Sequence, residues 1–175
     1  MMMSLSQMLI DNINNQFVFH SNQREIQLTE TNKKYSINIR ISGKQNILLI
    51  KNIEDLKQRY LPYTTGKFMP KDCDYILIRE EKKEIFFLEL KSESQKRFKK
   101  QKKDIISQLY SGEEWMRHLI FCSNPDFYQI DEYNKYFIAI NKMSIKRCIT
   151  DLTYEDNGRK FTFWNGSNFN LSEFK

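Results

Sequence analysis

The 175-residue sequence predicts an α/β (α+β) fold in which helices flank a mixed central sheet. Polar and apolar residues alternate strictly over Tyr35–Ile41, which is typical of a half-buried strand. The segment Glu84–Lys91 is so apolar that it belongs inside a sheet. Around it the predicted elements follow in the order strand, strand, helix, strand, which indicates a mixed sheet with helices packed against it.

The N-terminal part predicts a helix and a hairpin. Apolar residues recur at helical spacing from Ser4 to about Phe17, so we expect a short amphipathic helix there. After the strand at Tyr35–Ile41, Ser42–Lys44 forms a turn. We expect Ile47–Ile50 to pair back on that strand as a hairpin.

The middle of the chain predicts the centre of the sheet. Asn52 can cap a helix that must end before Pro62. Cys73–Arg79 is rich in branched residues and predicts a strand. The polar turn Glu80–Lys83 then makes this strand a neighbour of Glu84–Lys91.

The second half predicts one helix and several strands. The helix is expected from about Ser94 to Tyr110, where Gly112 ends it. Leu119–Cys122 is a short apolar run between polar flanks, which favours a strand covered on both faces. Further strands are expected near Tyr136–Ile140, Ile145–Ile149 and Lys160–Trp164.

We expect a single domain over residues 1–175, because this length suits one core and the chain has only five glycines and three prolines. Residues 52–124 would form its core. The helix and hairpin of residues 4–51 and the strands of residues 135–175 would be additions at the two ends.

Composition narrows the class of protein. The longest apolar runs have four residues, which is far short of a membrane span, and no secretory signal is expected. The three cysteines fit neither a disulfide framework nor a zinc site, so reduced thiols and a cytoplasmic location are expected. The net charge of +6 suggests an anionic partner, and no membrane partner is expected.

One group of residues fits phosphodiester chemistry. Strand periodicity places Glu89 and Lys91 on one face of an apolar strand, where buried charges are costly unless they pair or bind something. Asp74 begins the preceding strand, so two carboxylates and a lysine converge at one edge of the sheet. Two carboxylates can hold Mg²⁺, which lowers the pKa of an attacking water. The lysine can orient that water and offset charge in the transition state.

The sequence Asp-Tyr-Ile-Leu-Ile from Asp74, followed after 14 intervening residues by Glu89-Leu-Lys91, resembles the PD-(D/E)xK nuclease superfamily, whose fold is called restriction-endonuclease-like. The resemblance covers Pro70–Asn124. It implies catalytic roles for Asp74, Glu89 and Lys91, with Mg²⁺ held by the two acids and Mn²⁺ as a substitute. It also implies a glutamine on the following helix, for which Gln108 is the match.

Some choices among the acids stay open. Asp72 lies on the same strand face as Asp74 and competes with it, although a role in strand entry is the simpler interpretation. Glu54 or Asp55 is a candidate for a further metal ligand from an early helix, where acids also favour the helix dipole. Weaker candidates are Glu25 and Glu30.

Basic residues concentrate directly after the candidate site. From Lys91 to Lys103 there are seven basic side chains and one acid, Glu93. Such a run is usually a solvated helix face, but its position favours contact with phosphates. The candidate nucleic-acid-binding residues are Lys96, Arg97, Lys99, Lys100 and Lys103.

The first functional hypothesis is therefore an Mg²⁺-dependent endonuclease, with DNA favoured over RNA, in restriction, repair or phage defence. It would act as a homodimer or with another protein subunit. The alternative is a non-catalytic nucleic-acid-binding or scaffold subunit that retains the nuclease fold.

Overall fold

A computed structural model describes residues 3–30, 35–43, 45–53, 55, 72–124, 129–142, 152–166 and 168–173. The strands in these ranges are β1 Val18–Ser21, β2 Glu25–Glu30, β3 Tyr35–Arg40, β4 Ile47–Lys51, β5 Tyr75–Arg79, β6 Glu84–Lys91, β7 Asn134–Asn141, β8 Leu152–Asp156, β9 Arg159–Asn165 and β10 Asn168–Asn170. They form a large sheet in the order β1-β4-β5-β6-β7-β9-β8 and a small sheet in the order β10-β3-β2. In the large sheet β6 and β7, and β7 and β9, are parallel pairs, while the other pairs are antiparallel. The predicted mixed central sheet is confirmed.

The α-helices of the described residues are α1 Leu5–Asn12, α2 Gln95–Lys100 and α3 Lys102–Ser123. Short 3₁₀ helices occur at Glu80–Lys82, Gln129–Glu132 and Leu171–Glu173. Helices cover one face of the large sheet, where Leu109 of α3 and Phe87 of β6 share an apolar cluster. The small sheet covers the opposite face, where Ile39 and Leu88 share a second cluster. The described residues therefore form three layers, with the large sheet in the middle.

Strand β6 has the predicted bounds and lies between β5 and β7. Its apolar residues show no alternation with polar ones because both of its faces are covered: Phe87 packs toward the helices and Phe86 toward the small sheet. The connection from β5 is tight, with Lys83 in a left-handed conformation at φ 49°. This connection sets the register in which Ile76 pairs with Phe87.

Strand β3 confirms the predicted alternation, since Tyr35, Ile37 and Ile39 are buried and face the large sheet. The predicted hairpin between β3 and Ile47–Ile50 is wrong. Strand β4 lies between β1 and β5, while β3 pairs with β2 and β10. The physical reason is that four consecutive residues of β4 are buried, which suits an interior strand covered on both faces.

Helix α1 begins as predicted but ends at Asn12, before the predicted end at Phe17. The Ser4 side chain and the Glu80 carboxylate accept hydrogen bonds from backbone N–H groups of its first turn. Ile13 has an extended backbone, which ends the helix.

Two predictions about α3 are wrong. Gly112 does not end the helix, and Leu119–Cys122 is its last turn and not a strand. Gly112 instead permits close approach to the sheet, because a Cβ there would overlap Cys73 Sγ. The apolar run has one face in the core, since Ile120 is buried whereas Phe121 is 66% exposed.

Strands β7 and β9 confirm the strands predicted near Tyr136–Ile140 and Lys160–Trp164, with slightly wider bounds. The sequence did not predict β1, β2, β8 or β10. The strand predicted at Ile145–Ile149 and most of the helix predicted after Asn52 lie outside the described residues. No helix in the described ranges has the length and apolar character needed to cross a membrane.

Candidate active site

The end of β6 and the beginning of β5 lie side by side at one edge of the large sheet. Tyr75 and Leu88 are partners in this antiparallel pair, and Asp74, the residue before Tyr75, lies close enough to Glu89 for its charge to act on that carboxylate. Within β6, Glu89 has the same parity as Phe87, which packs toward the helices. The structure thus brings together the two carboxylates that were expected to converge.

Hydrogen bonds hold these groups in place. Asp74 Oδ2 accepts a hydrogen bond from the backbone N–H of Leu90 at 2.6 Å. Lys91 Nζ donates to Glu89 Oε1 and forms an ion pair with it. The lysine side chain is 18% exposed and the glutamate only 1%, so the ammonium group lies nearer to solvent than the carboxylate.

One oxygen of the Glu89 carboxylate pairs with Lys91, and the other oxygen is buried. This second oxygen, Oε2, has no hydrogen-bond partner among the described residues. Burial and, next, the charge of Asp74 raise the pKa of Glu89 above its ordinary range, while Lys91 opposes this shift. A cation placed between the two carboxylates would stabilise both of their charged forms.

The two carboxylates face a cleft of about 350 Å³. Its walls come from β2, from the residues after β4, from the residues entering β5, and from α3. Among the residues that line it are five acids and one lysine, so the cleft is acidic and suits a cation. The acids are Glu30, Asp55, Asp72, Asp74 and Glu89.

No protein-family model matches the chain, and comparisons with curated proteins and with solved structures give no match either.

Asp72, the alternative to Asp74, lines the same cleft and also precedes β5. It is buried, and its Oδ1 atom accepts a hydrogen bond from Ser111 Oγ of α3. Asp72 therefore ties the entry of the strand to the helix, whereas Asp74 accepts a hydrogen bond from the backbone of Leu90, the residue after Glu89.

The donor set fits a hard divalent cation. Carboxylate oxygens are the ligands that Mg²⁺ prefers, and Glu89 offers a buried oxygen that lacks a partner among the described residues. Within those residues, no three His, Cys, Asp or Glu side chains are grouped so that they could hold one metal ion. Mg²⁺ is commonly bound by one or two carboxylates and takes its remaining ligands from water and phosphate. Asp74 and Glu89 would therefore be the pair that holds it.

The remaining candidates are divided between the cleft and the surface. Gln108 of α3 is buried and lines the cleft. Asp55 and Glu30 also line the cleft, although they are less buried. Glu54 lies outside the described residues. Glu25, at the other end of β2, lies 3.7 Å from Arg40 in an exposed ion pair.

Sequence reasoning gave little weight to Glu30 because β2 itself was not predicted. A signal was present, since Ile26 and Leu28 alternate with polar residues over Glu25–Glu30 and are both buried. That signal predicts a strand, but it does not show that the end of the strand reaches a site built on β5 and β6.

The candidate nucleic-acid-binding residues lie on α2 and at the start of α3, and all five side chains are exposed. Residues 92–94 alone separate β6 from α2, so this basic surface follows Lys91 directly. Asn141 at the end of β7 fixes this connection, because its side chain accepts from the N–H of Glu93 at 2.9 Å and donates to its carbonyl oxygen at 3.0 Å. Arg97 also pairs with Glu93 at 3.3 Å.

Proposed function

We propose that this protein is an Mg²⁺-dependent endonuclease of the PD-(D/E)xK type that hydrolyses phosphodiester bonds in nucleic acid, with DNA as the preferred substrate. The observation that carries the proposal is Glu89: a buried carboxylate beside Asp74, in an acidic cleft, with one oxygen unpaired among the described residues. A protein that used Glu89 only for structure would gain more from an apolar residue of similar size, because burying ions is costly.

Each residue has a distinct role in this proposal. Asp74 and Glu89 would hold the ion, and Mn²⁺ would substitute for Mg²⁺. When bound, the ion neutralises charge on the phosphate and lowers the pKa of the attacking water. Lys91, which is paired with Glu89 and reaches solvent, orients that water and offsets negative charge in the transition state. Gln108 offers an amide group to water or phosphate from the α3 side of the cleft.

The basic side chains of α2 would contact the phosphate backbone on either side of the cleavage position. Four of the five exposed cations lie on α2 and Lys103 lies at the start of α3, so the cationic surface is separate from the acidic cleft. The cations attract the polyanion through a salt-dependent, sequence-independent interaction, while the cleft holds the metal.

The test is a plasmid-nicking assay with Mg²⁺, with Mn²⁺ and with EDTA. Wild-type protein should nick supercoiled DNA only when a divalent ion is present. Lys91→Met and Glu89→Gln should each abolish nicking, while the Glu25→Gln control should nick at the wild-type rate because Glu25 lies in an exposed pair away from the cleft.

A second candidate function is a nucleic-acid-binding or scaffold subunit without catalysis, which the exposed cations of α2 also favour. It predicts salt-dependent binding to DNA with no nicking in any metal. Nicking that is lost in both active-site variants excludes it.

A further inference from the structure

The cleft has one wall that belongs to the small sheet. The end of β2 reaches the large sheet through Tyr75, whose hydroxyl donates to the carbonyl oxygen of Thr29 at 2.7 Å and accepts from its N–H at 3.1 Å. Tyr75 immediately follows Asp74, so these two hydrogen bonds hold the end of β2 beside the carboxylate pair. Thr29 and Glu30 line the cleft as a result.

Glu30 lines the same cleft as Asp74 and Glu89 and lies within electrostatic range of Glu89. Its charge contributes to the raised pKa of Glu89, although less than burial and Asp74 do. Its charge also contributes to the raised pKa of Tyr75, where burial is the largest cause. Glu30 therefore belongs electrostatically to the same site as Asp74 and Glu89.

Mg²⁺ and Mn²⁺ bound by two carboxylates keep several water ligands, and those waters need hydrogen-bond acceptors. The buried Oε2 atom of Glu89, which has no hydrogen-bond partner among the described residues, offers the ion an oxygen ligand. A third carboxylate in the cleft that does not bind the ion directly can accept hydrogen bonds from these waters.

We propose that Glu30 is a positioning residue that accepts hydrogen bonds from water held around a divalent cation at Asp74 and Glu89, and that it thereby strengthens cation binding. This inference rests on the proposed metal-dependent function. It gives the small sheet a part in the site, because Glu30 comes from a strand that pairs only with β3 among the described strands.

The test is a titration of the full-length protein with Mn²⁺, followed by calorimetry and by the electron paramagnetic resonance signal of free Mn²⁺. Groups that support metal ligands through hydrogen bonds typically change metal affinity about 10- to 100-fold. We expect Glu30→Gln to weaken Mn²⁺ binding about tenfold. Glu25→Gln is the matched control, since it makes the same change on the same strand, and it should bind Mn²⁺ as the wild type does.

Two further measurements separate positioning from a general loss of structure. The melting temperature of Glu30→Gln without metal should not fall below that of the wild type, and saturating Mn²⁺ should restore its nicking rate to within a few-fold. Tyr75→Phe keeps every carboxylate but releases Thr29, so it should also weaken Mn²⁺ binding. If Glu30→Gln does not fold, the Mn²⁺ affinity of Tyr75→Phe tests the proposal instead.

The outcomes distinguish this inference from the proposed function. A wild-type protein that binds no Mn²⁺ contradicts both. If the wild type binds Mn²⁺ and nicks DNA but both the Glu30 and the Tyr75 variants bind Mn²⁺ equally well, the role of Glu30 is wrong while the nuclease function stands.

Discussion

Replacing Glu89 by Gln distinguishes a cation-binding carboxylate from a structural ion pair. The substitution keeps the shape of the side chain and removes its charge. Because burial and Asp74 raise the pKa of Glu89 in the native state, the unfolded chain releases this proton near the ordinary value of 4.5 while the native protein retains it to higher pH. The free energy of unfolding of the wild type therefore falls as pH rises from about 4.5 through the raised native pKa.

The size of this effect follows from linkage. A tenfold change in proton affinity corresponds to about 1.4 kcal/mol, so a strongly raised pKa costs the ionised native protein on the order of a few kcal/mol. Glu89→Gln has no buried charge and so does not carry this free-energy cost. The ammonium group of Lys91, which is partly exposed, can be hydrated in the variant. We expect the variant to be more stable than the wild type at pH 8, by about 2–4 °C in melting temperature for each kcal/mol, and the difference should shrink at pH 5.

Calorimetric melting at pH 5 and pH 8, with and without Mg²⁺, measures both effects. Mg²⁺ at about 100 times its dissociation constant should stabilise the wild type by about 2.7 kcal/mol and should not stabilise the variant. Glu84→Gln is the control on the same strand, because Glu84 forms an ion pair at 3.1 Å with Arg79, whose side chain is only 2% exposed. That control should lose about 3–5 kcal/mol, as expected when a buried ion loses its partner. If Glu89→Gln lowers the free energy of unfolding as much as Glu84→Gln does, at both pH 5 and pH 8, the cation-binding interpretation is falsified.

Three further predictions test the surroundings of Glu89. Lys91→Met should abolish cleavage while leaving DNA affinity, measured by fluorescence anisotropy, within a few-fold, because Lys91 acts in the chemical step; a large loss of affinity contradicts this role. Changing the four basic residues 96, 97, 99 and 100 to Gln should flatten the dependence of DNA affinity on salt by about 0.9 in the log–log slope for each phosphate contact removed. An unchanged slope identifies this surface as a solvated helix face. Gly112→Ala, which normally stabilises a helix by about 1 kcal/mol, should instead lower the melting temperature because the new Cβ overlaps Cys73 Sγ. The double variant with Cys73→Ala should recover part of that loss, and no recovery would show that another contact causes it.

Local patterns correctly predicted the part of the fold that short-range contacts define. The connection between β5 and β6 is only residues 80–83, so the chain has little choice but to pair the two strands antiparallel in one register. That register brings Asp74, the residue before Tyr75, next to the end of β6, where Glu89 lies. Strand parity likewise predicted which residues of β3 are buried and which residues of β6 share each of its two faces.

The sequence-based predictions were wrong where a local pattern is compatible with more than one secondary structure. Leu119–Cys122 reads as a buried strand when taken alone, yet it completes α3 because the preceding turns already place one face of that helix on the sheet. Gly112 reads as a helix end, but its lack of a side chain is used for packing against Cys73. Propensity is a weak signal at such positions, and tertiary contacts override it.

The choice of strand partners depends on contacts between residues far apart in the sequence. β3 and β4 are adjacent in the chain, yet they belong to different sheets because β4 is buried on both faces and β3 on one. The same long-range arrangement brings Glu30 into the cleft, since the hydrogen bonds of Tyr75 with Thr29 hold the end of its strand beside Asp74. The residue types and short spacings of the sequence thus determine the carboxylate pair and its lysine. Packing of the two sheets, which no local pattern encodes, determines what surrounds them.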